Sequence, residues 1–174
     1  MLLLPLFLLA AAAPAMQAAP QARPACPATP APLPAGLKGW ARRQPVRAAG
    51  TARTATVLPV GSGVAATLLP SVGIAYAAPL RKPDRAGASG GLFAFTVATA
   101  GRYRVALGAG AWVDVLSGAT VIASAAHGHG PDCSGVRKMV DFDLKPGRYI
   151  LQIAGSDMAE LPMMVARLDA SRGG

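Results

Sequence analysis

The sequence predicts an all-β protein: an antiparallel β-sandwich, jelly-roll-like, with an extended N-terminal arm. Three observations predict it. Strand-length segments beyond residue 54 alternate apolar and polar residues with period two, as half-buried strands do because successive side chains point to opposite faces. The 174 residues include 16 prolines and 20 glycines, which interrupt helices and suit short strands joined by tight turns. No segment carries the sustained 3.6-residue periodicity of a long helix.

Taken in chain order, residues 1–15, MLLLPLFLLAAAAPA, read as a signal peptide, an apolar run followed by small residues, with cleavage expected between 15 and 22. The run is too short for a membrane span. Only the α-amino group places positive charge ahead of it, and a buried hydrophobic terminus is the other reading. Residues 16–36 are rich in proline and alanine and read as an extended tether. Cys26 lies in RPAC, where Arg23 and Pro24 break the Leu-x-x-Cys pattern of a bacterial lipidation site. Residues 37–53 form a basic segment in which LKGWARR offers at most a helical turn, shortened by Gly39. Residues 54–169 hold the sandwich.

Within the sandwich, Phe93, Phe95 and Val97 share one face of GLFAFTV, and Tyr103, Val105 and Leu107 one face of RYRVALG, with Arg102 and Arg104 opposite. In KMVDFDL, Val140, Phe142 and Leu144 point inward, with Met139, Asp141 and Asp143 outward. In RYILQIA, Tyr149, Leu151 and Ile153 point inward. TATVLPV, GVAATLL, AWVDVLS, ATVIASA and LPMMVARL are further strands. FTVATAGRYRVALGAG and FDLKPGRYILQIAGS echo each other as hairpins, with Gly101 and Gly147 where a turn needs positive φ and Tyr103 and Tyr149 starting the inward-facing return strands.

Charge and cysteines bear on compartment and partners. The net charge is +9. Nine basic residues and one acidic residue lie between Arg23 and Arg85, against eight basic and seven acidic from Ala86 onward. Lys38, Arg42, Arg43, Arg47 and Arg53 have no acid among them. An exported chain rarely meets nucleic acid, so this run points to an anionic envelope surface, lipid headgroup or acidic polysaccharide, or to a periplasmic protein. A solvated basic face is the alternative. Trp40, Arg42, Arg43 and Arg47 are the candidate binding residues, and Trp112 is expected in the core. Two cysteines in an oxidising compartment pair most simply as Cys26–Cys133. Closing so long a loop stabilises by on the order of 4–5 kcal/mol in the chain-entropy view. The expected location is periplasmic or secreted, with no transmembrane span in the mature chain.

The chemically richest segment is AHGHGPDCSGVRKMV, holding His127, His129, Asp132 and Cys133. Two histidines and a carboxylate are the ligand set of a non-haem iron site, with Asp132 or Asp141 supplying the oxygen. Zinc or copper through His127, His129 and Cys133 is a second possibility that competes with the disulfide. The glycines at 128 and 130 instead suggest a tight turn stapled by Cys133. Ser124 or Ser134 with His127 lacks a Gly-x-Ser-x-Gly elbow. GSG at 61–63 and GAG at 108–110 lead into no lysine-bearing helix and are not phosphate loops. Asp141 and Asp143 are expected to form surface ion pairs with Arg137, Lys138 and Lys145.

From Gly91 onward, the two Gly-Arg-Tyr units resemble those of bacterial pre-peptidase C-terminal modules, which bind or stabilise and do not catalyse. GGLFAFTV, YRVALGAGAWVDV and AHGHGPDCSGVRKMVDFDLKPGRYILQI resemble, across most of residues 35–168, a family of short exported bacterial β-sandwich proteins whose members commonly carry the name homogentisate 1,2-dioxygenase. That resemblance implies Fe(II) and a ring-cleaving role for His127, His129 and Asp132. A cupin iron site, however, places a glutamate three or four residues beyond the second histidine and adds a later histidine. Here Gly130 and Pro131 alone separate His129 from Asp132, and no histidine follows. The reading taken forward is an exported, non-catalytic binding module with no cofactor, the iron dioxygenase being the alternative.

Overall fold

The computed structural model describes Cys26 and residues 31–168. The signal peptide, most of the tether and residue 169 onward lie outside the described residues. The strands are β1 (Arg43–Arg47), β2 (Thr56–Val57), β3 (Gly63–Thr67), β4 (Leu69–Pro70), β5 (Ser89–Val97), β6 (Gly101–Leu107), β7 (Trp112–Ser117), β8 (Thr120–Ile122), β9 (Ala126–Gly128), β10 (Lys138–Leu144), β11 (Gly147–Ser156) and β12 (Glu160–Arg167). They form two sheets, β1-β3-β12-β6-β10-β9 and β2-β5-β11-β7-β8, with β4 also on β5. The fold is an all-β sandwich. The interior pairings are antiparallel, whereas β1 on β3 and β2 on β5 are parallel. Both parallel strands are edge strands laid down by the N-terminal segment, not by hairpin reversals. The segment 37–53 is therefore woven into the sandwich: β1 is an edge of the first sheet.

The period-two alternation does what it implies. Phe93, Phe95, Val97, Tyr103, Val105, Leu107, Val140, Phe142, Leu144, Tyr149, Leu151 and Ile153 all lie in the one core between the sheets. Each large side chain taken fully from water contributes roughly 1.5–3 kcal/mol.

The two Gly-Arg-Tyr units are not hairpins. β5 pairs with β11, and β6 with β10 and β12. Each unit instead carries the chain from one sheet to the other, β5 to β6 and β10 to β11. Gly101 and Gly147 take φ of 157° and 155°, where a side chain is disfavoured. The following tyrosine turns into the core, and its hydroxyl donates back to the carbonyl four residues upstream: Tyr103 to Thr99 at 2.8 Å and Tyr149 to Lys145 at 2.8 Å. This is the tyrosine-corner device of β-sandwiches, used twice. The units interlock, since Phe95 of the first opposes Tyr149 of the second, and Phe142 of the second opposes Tyr103 of the first. Phe95 and Tyr149 stack with centroids 5.6 Å apart. A local turn signal does not reveal which partner the returning strand takes.

Both outer sheet faces are also partly covered. Leu37, Trp40 and Val136 pack with Ala106, Met164 and Ala166 on the first sheet. Ala55 and Ala78 pack with Leu92, Ala94, Leu116 and Ile150 on the second. There the buried Gln152 amide exchanges two hydrogen bonds with the backbone of Ala78, at 3.0 and 3.1 Å, and so pins the covering segment to β11.

Candidate functional site

The histidine–cysteine segment folds as a turn between β9 and β10, closed by local bonds. The Ser134 hydroxyl donates to the Pro131 carbonyl at 2.6 Å and accepts from the Val136 N–H at 3.2 Å. Cys133 takes φ of 62°, an uncommon conformation for a non-glycine residue, and is joined to Cys26 by a disulfide with the Cα atoms 5.6 Å apart. The bond closes a separation of 107 residues. It ties Cys26 to a depression of about 800 Å³ lined by His129, Asp132, Val136 and Arg137, among others. His129 is exposed, with Nδ1 2.8 Å from the Arg137 carbonyl. That contact makes Nδ1 the protonated nitrogen and orients the ring. His127 is an exposed residue of β9, opposite Val140.

These residues do not fit the iron centre that the family resemblance implies. Among the described residues, no three or more His, Cys, Asp or Glu side chains come together as metal ligands. Asp141, the alternative carboxylate, is buried and bound by both Nε and Nη2 of Arg104 at 2.8 Å. Cys133 is consumed by the disulfide and is no thiolate ligand for zinc or copper. The glycines and proline around His129 shape the turn that presents Cys133.

The basic segment is arranged differently. Leu37 and Trp40 anchor it in the cluster on the first sheet, and the chain then enters β1. Gly39 and Gly63 allow the close crossing here: a Cβ on Gly63 would lie 2.8 Å from the Gly39 carbonyl oxygen. Val46 packs against the core, so Arg43, Pro45 and Arg47 point to the outer face by strand alternation. Arg42, Arg43, Gln44 and Ser62 line a depression of about 330 Å³ with Gly39 and Gly61. Arg47 lies at the far end of β1, about 13 Å along the strand from Arg43 at ~3.3 Å per residue. The Arg43 guanidinium lies 4.9 Å from the centre of the Trp40 ring, a cation–π contact.

Two expectations about tryptophan are corrected. Trp40, expected as a contact residue, is only 2% exposed; it supports Arg43 from beneath. Its Nε1 has no hydrogen-bond partner among the described residues. Trp112, expected in the core, is 45% exposed. It starts β7 on the outer face, beside the bulged end of β11, with the Lys138 ammonium 5.4 Å from its ring centre. Partial burial pushes the Lys138 pKa down, and its ammonium donates to the Ala111 carbonyl at 2.6 Å.

The expected ion partners also change. Asp141 and Asp143 pair not with Arg137, Lys138 and Lys145 but across the sheet with Arg104 and Arg102. The antiparallel register of β10 on β6 sets Asp141 opposite Arg104 and Asp143 opposite Arg102. Both pairs are bidentate, at 2.8–2.9 Å. The hydrogen bond from Arg102 holds the Asp143 carboxyl below its ordinary pKa. Arg42, Arg43 and Arg47, in contrast, have no carboxylate within salt-bridge distance among the described residues.

Gln44 and Ser62 escaped sequence reasoning as site residues. No local pattern signals either one: the period-two step of RQPVR sets Gln44 on the face of Val46, opposite Arg43 and Arg47, and the contact between residues 39 and 61–63 is tertiary. No protein-family model and no curated protein matches the chain. Among the described residues, no helix is long and apolar enough to cross a membrane.

Proposed function

We propose that the chain is an exported, non-catalytic β-sandwich module that binds an anionic envelope surface, its contact being the basic edge formed by Arg42, just before β1, and by Arg43 and Arg47 on β1, with Lys38 nearby. The observation that carries this reading is the lack of carboxylate partners for these arginines, in a fold whose other arginines on strand β6 are matched across the sheet. Charge left uncompensated on a rigid edge attracts anions over a Debye length of about 8 Å at physiological salt. Trp40 supports the reading as the buried ring that holds the Arg43 guanidinium in place. The Cys26–Cys133 bond is compatible with an oxidising compartment and fastens the tether's cysteine to the domain.

The test is co-sedimentation with vesicles containing anionic lipid and with an acidic polysaccharide, for the wild type and for a variant with Lys38, Arg42, Arg43 and Arg47 all changed to Gln. Binding by the wild type that weakens with salt and is lost in the variant is the expected result. Equal binding by both proteins removes the electrostatic edge from the account.

A further inference from the structure

We infer that the depression between β1 and the turn preceding β3 is a seat for a terminal phosphomonoester. The inference rests on the basic-edge reading above and narrows it from diffuse charge to one chemical group. Arg42 and Arg43 are consecutive and line the same depression, together with Gln44 and Ser62. Two planar guanidiniums offer paired N–H forks that match phosphate oxygens in a bidentate manner, which lysine ammoniums do not.

Arg43 is the better organised of the two. Its guanidinium is held over the buried Trp40 ring, so less side-chain freedom is lost when an anion arrives. The Ser62 hydroxyl lines the same depression and can donate to a third oxygen. A phosphomonoester presents three strong acceptor oxygens and nearly two charges, and so uses both arginines and the Ser62 hydroxyl at once. A phosphodiester or carboxylate offers two terminal oxygens and one charge, and leaves part of the set idle. The Gly61-Ser62-Gly63 turn takes part through its side chain and leads into strand β3, so the seat is unrelated to a helix-capped phosphate loop.

The experiment compares binding to phosphatidylcholine vesicles carrying phosphatidic acid with binding to vesicles carrying phosphatidylglycerol, matched for zeta potential. Inorganic phosphate serves as the soluble competitor and is also titrated alone by calorimetry. The expected result is an affinity about tenfold higher for phosphatidic acid, the scale of one charge-assisted hydrogen-bond set. Ser62→Ala should shrink that preference. Displacement by inorganic phosphate shows that the seat also takes free phosphate, whereas preference without displacement shows that it takes the group only on a surface; either supports the seat. Equal affinity for the two vesicles overturns the seat and leaves the basic edge standing. Binding to neither overturns both.

Discussion

Two groups of arginines in this chain have opposite surroundings. On β6, Arg102 and Arg104 each meet an aspartate directly across the strand pair, at 2.8–2.9 Å through both fork nitrogens. On the edge formed by residues 42–47, Arg42, Arg43 and Arg47 meet no carboxylate among the described residues. The first group is a closed electrostatic circuit that the register of two strands dictates. The second is an open one on a strand with a neighbour on one side only. The two groups carry the same charge and differ in its compensation.

Breaking the closed group should have the largest effect. Asp141 is 6% exposed, and Arg104→Ala leaves its carboxylate buried without a partner. The expected cost is about 3–5 kcal/mol, read from urea unfolding, because an unpaired buried charge loses its compensation but keeps its desolvation. Replacing both residues with leucine or methionine should recover most of that loss. A small effect of Arg104→Ala would show that water reaches Asp141 and that the pair is ordinary surface charge.

The neighbouring exposed pair should give a smaller, pH-dependent effect. The folded Asp143 pKa is lowered, first by the Arg102 hydrogen bond, so its contribution is fully present above the ordinary aspartate value near 3.8. It is lost as pH falls through the lower folded value. Melting temperatures of the wild type and Asp143→Asn should therefore differ at neutral pH and converge at the acidic end. A difference that persists in acid would assign the effect to something other than this carboxylate.

The sequence disclosed the sandwich because burial between two sheets writes a period-two pattern, and every inward residue expected in β5, β6, β10 and β11 lies in the core. The cysteine pair was legible from its number and setting. Strand pairing was not, since Gly-Arg-Tyr marks a reversal without saying whether the chain returns to the same sheet or crosses to the other. The tryptophans exchanged roles for a similar reason. The outer cover that buries Trp40 comes from residues distant in sequence, such as Val136 and Met164, whereas Trp112 takes an outward-facing position at the start of β7. Asp141 looked like a surface residue because its alternation faces outward, and only the register with Arg104 reveals a buried pair. At the candidate site, the arginines were visible as a basic run. The depression that adds Gln44 and Ser62 depends on a crossing at Gly39 and Gly63 that no local pattern signals.

The central claim, that place and not total charge makes the basic edge functional, is tested most directly by vesicle binding of two charge-matched variants. One changes Arg42, Arg43 and Arg47 to Gln. The other changes Arg81, Arg137 and Arg148, all exposed, to Gln. Both should fold with surface-scale stability changes of about 0.5 kcal/mol per site or less. The account predicts that the first loses binding to anionic vesicles and the second retains it; equal loss in both would reduce the edge to a share of the net charge and contradict the account.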